Sequence, residues 1–310
     1  MSLGFWQLDL LYWNAVAVGQ GATQMTVLAL GLVLLSALVH ASWNLFAKRA
    51  GGGAAFVWLF ASLSSLFYAP LAVAVFLLQQ PHIGSTGLLF MAGSGLLHVV
   101  YFLLLQRGYE AGDLSVVYPL ARGTGPLLST TAAIACFQEH PTGLALIGIL
   151  LIALGTFLLT CNSGTIWAAN QRMAIAYGLL TGVIIAAYTL WDKQAVSTLM
   201  IPPILADYGS NLSRVALLTP IALHRWQSVR VTWQRHWQEA IAVSLLSPLA
   251  YILVLTALAF TPISYVAPMR EISILVGVIL GTRLLAEGEP KKRLMAAGII
   301  VLGVVFLAIG

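Results

Sequence analysis

Charge is what this chain has least of. Of its 310 residues only 8% are Asp, Glu, Lys or Arg, whereas 60% are hydrophobic and the mean hydropathy is +0.92. Soluble domains carry about a quarter charged residues, so charge this sparse excludes a surface covered by water. Cysteine is nearly absent as well. Cys136 and Cys161 sit at opposite ends of one predicted span, about 30 Å apart along a helix. That separation excludes an intramolecular disulfide, and two isolated thiols make no metal site. Long polar stretches are missing: connections such as Gly51-Gly52-Gly53, Gln80-Pro81-His82 and Thr261-Pro262 are too short to hold a soluble domain. Catalytic patterns are missing too. Glu139-His140 has no second His at metal-ligand spacing, and no Gly-x-Ser-x-Gly elbow or paired catalytic carboxylate occurs. The expectation is no enzyme, no metal and no cofactor.

What the chain does have is apolar runs of about twenty residues, the length that crosses a hydrocarbon core of about 30 Å. Lipid offers no partners to open backbone, so such runs must be helices. Ten are read: 27–47, 54–78, 86–107, 113–136, 142–161, 172–192, 203–224, 238–260, 263–285 and 292–309. The fold class expected is an all-α membrane protein with ten transmembrane helices. Residues 1–25 lack a basic n-region, and their apolar stretch Leu10–Gly19 is broken by Asn14. They read as a disordered or interfacial lead. The segment from His224 to Trp237, with Arg225, Arg230 and Arg235 among Trp226, Trp233 and Trp237, reads as an interfacial loop with an aromatic belt rather than a nucleic-acid site.

The chain also repeats itself. Ser115 and Pro119 recur as Ser264 and Pro268, both at an offset of 149. Each block leads to an acidic, proline-bearing loop, Glu139-His140-Pro141 and Glu287-Gly288-Glu289-Pro290, and then to a small-residue helix. More weakly, Trp43 to Lys48 pairs with Tyr188 to Lys193. The expected halves are 26–161 and 172–310, joined by a linker at 162–171. Each holds five spans, and an odd number makes the second enter the membrane from the opposite face. Two inverted five-helix repeats are a transporter signature, with substrate held near the midplane between them.

Polar residues inside these spans fall into stripes. His40 and Asn44, with Ser36 and Lys48, are spaced by four, one face of a helix. An ionised side chain at the bilayer midplane costs about 2.5–3.5 kcal/mol, so such stripes should face a cavity. The candidate substrate-binding residues are His40, Trp43, Asn44, His98, Tyr101, Tyr118, Arg122, Tyr188, Asn211, Arg214, Tyr251, Tyr265, Arg270 and Glu271. Arg122, Arg270 and Glu271 stand out: each lies well inside a span and follows a proline, which loosens the helix ladder. Two guanidiniums on one cavity would attract a carboxylate, phosphate or phosphonate. Glu271 would neutralise Arg270, bind an amino group or take up a proton. Trp43 and Tyr188 would stack on an organic cation or gate the cavity. Bland readings stand beside these. Asp207 and Arg214 pair structurally along one span, Lys193 and Arg107 anchor span ends, and Gly178-xxx-Gly182 and Gly277-xxx-Gly281 are packing faces.

The ten spans, the repeat and the Glu-x-Pro and Glu-x-x-Pro loops resemble the EamA-type drug/metabolite transporter superfamily. The stretches His40–Ala50, Gly112–Pro126 and Ser264–Glu271 resemble a branch associated with phosphonate-utilisation genes. The resemblance implies a secondary transporter in a bacterial inner (plasma) membrane, an exporter or exchanger. Its cargo would be small polar metabolites such as amino acids or amino-phosphonate-like compounds, moved by alternating access. Its partners would be the small-molecule substrate and the lipid bilayer, with protons as the candidate coupling ion and no nucleic acid. It would work as a monomer or homodimer. The alternative readings are a non-transporting membrane partner or sensor subunit, or an intramembrane enzyme. Orientation divides the arguments. The resemblance implies cytoplasmic termini, whereas ten basic residues at one end, from Lys48 to Arg293, face only Lys193 at the other. The positive-inside rule then puts both termini outside.

Overall fold

The computed structural model describes residues 25–50, 53–111, 114–160, 172–276 and 290–310. Ten helices follow one another, and no strand occurs among the described residues. They are α1 (Val27–Arg49), α2 (Ala54–Gln79), α3 (Ser85–Ala111), α4 (Leu114–Phe137), α5 (Gly143–Thr160), α6 (Arg172–Ser197), α7 (Pro203–His224), α8 (Trp226–Phe260), α9 (Ile263–Met269) and α10 (Pro290–Ile309). Local chemistry sets several ends. The hydroxyls of Thr26 and Thr142 accept the N–H groups of Ala29 and Ala145, both at 3.1 Å, satisfying first-turn donors of α1 and α5. Gly53, at φ 97°, turns the chain into α2, a conformation that suits glycine.

Large apolar side chains face outward along the bundle: Leu66, Leu77, Val73 and Leu150 are more than half exposed. A protein in water would not leave so much apolar surface bare. Five helices (α1 to Ala47, α2, α3, α6 and α8) are long and apolar enough to cross a membrane, with shorter apolar stretches at Gly143–Leu158 and Met295–Ile309.

The repeat reappears in the packing. Numbering the helices one to five in each half, α1 packs on α8 as α6 packs on α3, and α2 on α8 as α7 on α3. The pairs α2–α7 and α5–α10 map onto themselves. At the α5–α10 crossing Gly148 and Gly303 meet. A Cβ on either would lie 2.6 Å or 2.8 Å from the other's carbonyl oxygen. Gly178 and Gly182 do the same for α6 against α4, a Cβ on Gly178 reaching within 3.1 Å of the Val117 carbonyl. Their reading as a packing face therefore holds, while Gly277 and Gly281 lie outside the described residues.

Two expectations about elements change. The segment after His224 is helix, not loop: α8 begins at Trp226 and runs to Phe260 with a kink at His236 (φ −135°, ψ 32°). Trp, Arg and Gln support a helix well enough; a tally of charge registers polarity but not backbone state. Val229 is buried against Leu59 and Ala222, while Trp226, Trp233 and Trp237 stay 39–48% exposed. The two prolines behave differently. α4 runs unbroken through Pro119, but α9 stops at Met269, and a turn carries the chain through Arg270 and Glu271 to a second helical stretch at 272–276. There Glu271 N–H bonds back to Pro268 O at 3.0 Å, three residues away, a tightened turn.

Candidate functional site

A cavity of about 260 Å³ lies among α1, α2, α3, α4, α6, α7, α8 and Arg270. Eleven of the fourteen candidates line it: His40, Trp43, Asn44, His98, Tyr101, Arg122, Tyr188, Asn211, Arg214, Tyr251 and Arg270. Both halves contribute. The lining climbs α1 from Ser36 to Ala47, α3 from His98 to Leu105 and α7 from Asp207 to Leu218. It thus reaches from mid-bundle toward the end where those helices finish.

The other three candidates lie elsewhere. Tyr265 is 1% exposed and packs in the main apolar core. Glu271 is buried behind Arg122. Its Oε1 is 3.1 Å from Arg122 Nη2, and it borders a separate space of about 10 Å³ between α4 and α5. Tyr118's side chain lies outside the described residues.

At the centre is an aromatic cluster around His98. Its Nδ1 lies 2.8 Å from the Ser94 carbonyl, which can only accept, so Nδ1 carries the hydrogen and Nε2 is left as an acceptor. The ring stacks on Tyr188 at 4.4 Å and meets Tyr251 edge-on at 5.3 Å. Tyr251 joins two charged groups: its hydroxyl donates to Asp192, and Arg270 lies 5.7 Å above its ring, within cation–π range. On α1, His40 meets Trp43 edge-on at 4.9 Å. The indole Nε1 of Trp43 and Nε of Arg214 are buried donors without a hydrogen-bond partner among the described residues.

Both repeats bring charge to the cavity, and Arg214 lines it from the same helix as Asp207. Arg122 and Arg270 line it as well, with Glu271 and Ser273 Oγ (3.3 Å) bonded to Arg122. Asp207 is 2% exposed and accepts from Asn211 Nδ2 at 2.8 Å. The expected Asp207–Arg214 pair is not among the ion pairs of the described residues; one turn of helix brings Asn211 closer than two turns bring Arg214. Ser94 Oγ donates to Ser210 Oγ at 3.1 Å, tying α3 to α7 beside this carboxylate. Much of the remaining wall is apolar, from Phe56 and Phe60 to Phe102 and Leu218.

Beyond the candidates stand Asp207, read from the sequence only as a structural partner of Arg214, the phenylalanines of the wall, and Asp192, which accepts from Tyr251 without itself lining the cavity. Asp192 could have been found, since Tyr188 and Asp192 are four apart on α6 and continue a polar stripe. Phe56, Phe60 and Phe102 could not, because an aromatic residue on an apolar helix reads as core. Lys193 also departs from its reading as an anchor at a span end. It turns inward, donating from Nζ to Leu258 O at 2.6 Å and Thr261 O at 3.0 Å.

Residues 27–161 and 172–309 each match the EamA-like transporter family. None of the curated proteins compared matches the chain. Among solved structures, one described only as a crystal structure of a protein shares 15% identity over 91% of this chain and 96% of its own, with a TM-score of 0.72. At that identity the likeness speaks for the fold alone.

Proposed function

The chain belongs to the EamA-like transporter family, a multi-pass membrane transporter of the drug/metabolite type, and on that premise we propose that it is a secondary transporter exporting or exchanging small zwitterionic metabolites. Ten transmembrane helices form two inverted five-helix halves in a bacterial inner membrane, and alternating access proceeds by rocking of the halves. The observation that carries this reading is one cavity lined by both repeats, with Arg122 and Arg270 from α4 and the turn after α9, and the buried carboxylate of Asp207 from α7, where Arg214 also lines the wall. Ionised groups at this depth are costly in lipid, and a solute bearing both charges satisfies both kinds of group. An anionic carboxylate or phosphonate faces Arg270 and Arg122, with bidentate geometry available. An ammonium faces Asp207. The apolar wall suits amino acids with an apolar body better than fully polar ones, and the buried Trp43 and Arg214 donors add points of recognition.

Proteoliposomes loaded with a panel of amino acids and aminophosphonates test the proposal. Arg270→Ala should abolish flux of the transported solute while the protein remains folded. No flux for any member of the panel, or full flux in Arg270→Ala, would refute it.

A further inference from the structure

Two side chains outside the cavity converge on one corner of the chain, and neither belongs to the site described above. The corner is Leu258–Ser264, where α8 ends and α9 begins through Thr261-Pro262. Pro262 has no N–H, so the Leu258 carbonyl four residues earlier lacks its helical donor. The first N–H groups of α9 likewise have no partner inside their own helix. Both deficits are met from elsewhere. Lys193 Nζ donates to Leu258 O at 2.6 Å and to Thr261 O at 3.0 Å. Glu139, from the α4–α5 loop of the other repeat, accepts from Ile263 N–H at 2.8 Å and Ser264 N–H at 2.9 Å. The corner is dry: Phe260, Thr261, Ile263 and Ser264 are all no more than 4% exposed.

This corner lies at the end of the bundle opposite the one toward which the cavity lining climbs. Resting on the transport reading, we propose that Glu139 and Lys193 are positioning residues that brace the α8–α9 corner shut, and that their release opens the cavity at that end. The backbone groups they hold can be satisfied in two ways, by the brace while the corner is dry or by water once it parts. In neither state are these four backbone groups, the Leu258 and Thr261 carbonyls and the Ile263 and Ser264 N–H groups, left unpaired, a cost both states would otherwise carry. A fixed helix would have no such choice. Because α9 leads directly into Arg270 and Glu271, movement of the braced corner also shifts Arg270 in the cavity wall. The contact between Glu139 and α9 joins one repeat to the other, where relative motion of the halves would break it.

Sided labelling tests this without any solute. In a background lacking both native cysteines, Cys136→Ser with Cys161→Ser, a single Ser247→Cys reports on the cavity wall. Sealed vesicles of both orientations are exposed to a membrane-impermeant maleimide. With the brace intact, labelling should be fast from the end where α1, α3 and α7 finish and slow from the α8–α9 end. Glu139→Ala and Lys193→Met should each raise the slow rate at least about tenfold, which is about 1.4 kcal/mol. Glu139→Gln keeps one accepting oxygen and should fall between. A capping role confined to stability would lower the melting temperature without altering sidedness. Unchanged one-sided rates in folded, monodisperse Lys193→Met would overturn the proposal, as would equal labelling from both ends in the braced protein. If Glu139→Ala does not fold, Lys193→Met and Glu139→Gln decide the matter. Absence of solute flux refutes the transport reading and leaves this measurement intact.

Discussion

Arg122 and Glu271 occupy matching positions in the two repeats: both pairs Ser115–Ser264 and Pro119–Pro268 differ by 149, and so do these two. They meet at 3.1 Å, buried to 8% and 4% exposure, an ion pair formed by residues that the repeat treats as equivalent. A charge swap is therefore the informative perturbation. At an effective dielectric of about 20, unit charges about 3 Å apart attract by about 5 kcal/mol, and removing one partner of a buried pair costs about 3–5 kcal/mol. Arg122→Gln should fall in that range, because Glu271 is then left buried with its charge unmatched. Glu271→Gln should cost less, since Ser273 continues to accept from Arg122. Arg122→Glu combined with Glu271→Arg restores opposite charges at equivalent places. Recovery should be partial, because an arginine at 271 adjoins Arg270. We expect about half of the summed single losses to return, measured as unfolding free energy in a mixed-detergent titration. If the swap costs as much as Arg122→Glu and Glu271→Arg added together, within about 0.5 kcal/mol, the two positions are not interchangeable and the pair does not stabilise the interface between repeats.

Further expectations follow from packing and from Tyr251. Gly148→Ala puts a Cβ 2.6 Å from the Gly303 carbonyl and 2.8 Å from Leu307 N; backbone must move, at about 1–3 kcal/mol. Gly298→Ala, with nothing within 4 Å, should instead be neutral or stabilising by up to about 1 kcal/mol, and equal losses in the same titration would contradict the crossing described. Tyr251→Phe keeps the ring beneath Arg270 but removes the donor to Asp192, so a loss of about 1–3 kcal/mol is expected. Tyr251→Leu also removes the cation–π contact and should lose more; equal melting temperatures for the two variants would show that Arg270 gains nothing from the ring.

The polar stripes were legible in the sequence because helical geometry alone puts residues four apart on one face. Ser36, His40 and Asn44 needed no tertiary information to be grouped, and all three line the cavity. Glu271 belongs to no such stripe. Its neighbour Arg270 faces the cavity, but a tight turn after Pro268 sends the next side chain behind Arg122, and a turn has no period to read. Asp207 was assigned to Arg214 by spacing on one helix, whereas the nearer Asn211 takes it. Lys193 and Glu139 gave no sequence signal of meeting, since they are 54 positions apart and act on a corner made by a third segment.

Composition and run length by themselves determined that this chain is helical and lipid-facing, because apolar runs of about twenty residues can satisfy their backbone in lipid only as helices and so little charge cannot clothe a soluble surface. The offset repeat determined that it has two halves. Only the tertiary structure decided which polar stripes share a space, which carboxylate lies behind its arginine, and which side chains meet the open backbone of the α8–α9 corner. Those facts depend on contacts between helices distant in sequence, where a rotation of a few tens of degrees decides whether a side chain meets the cavity, the core or another helix's unpaired backbone.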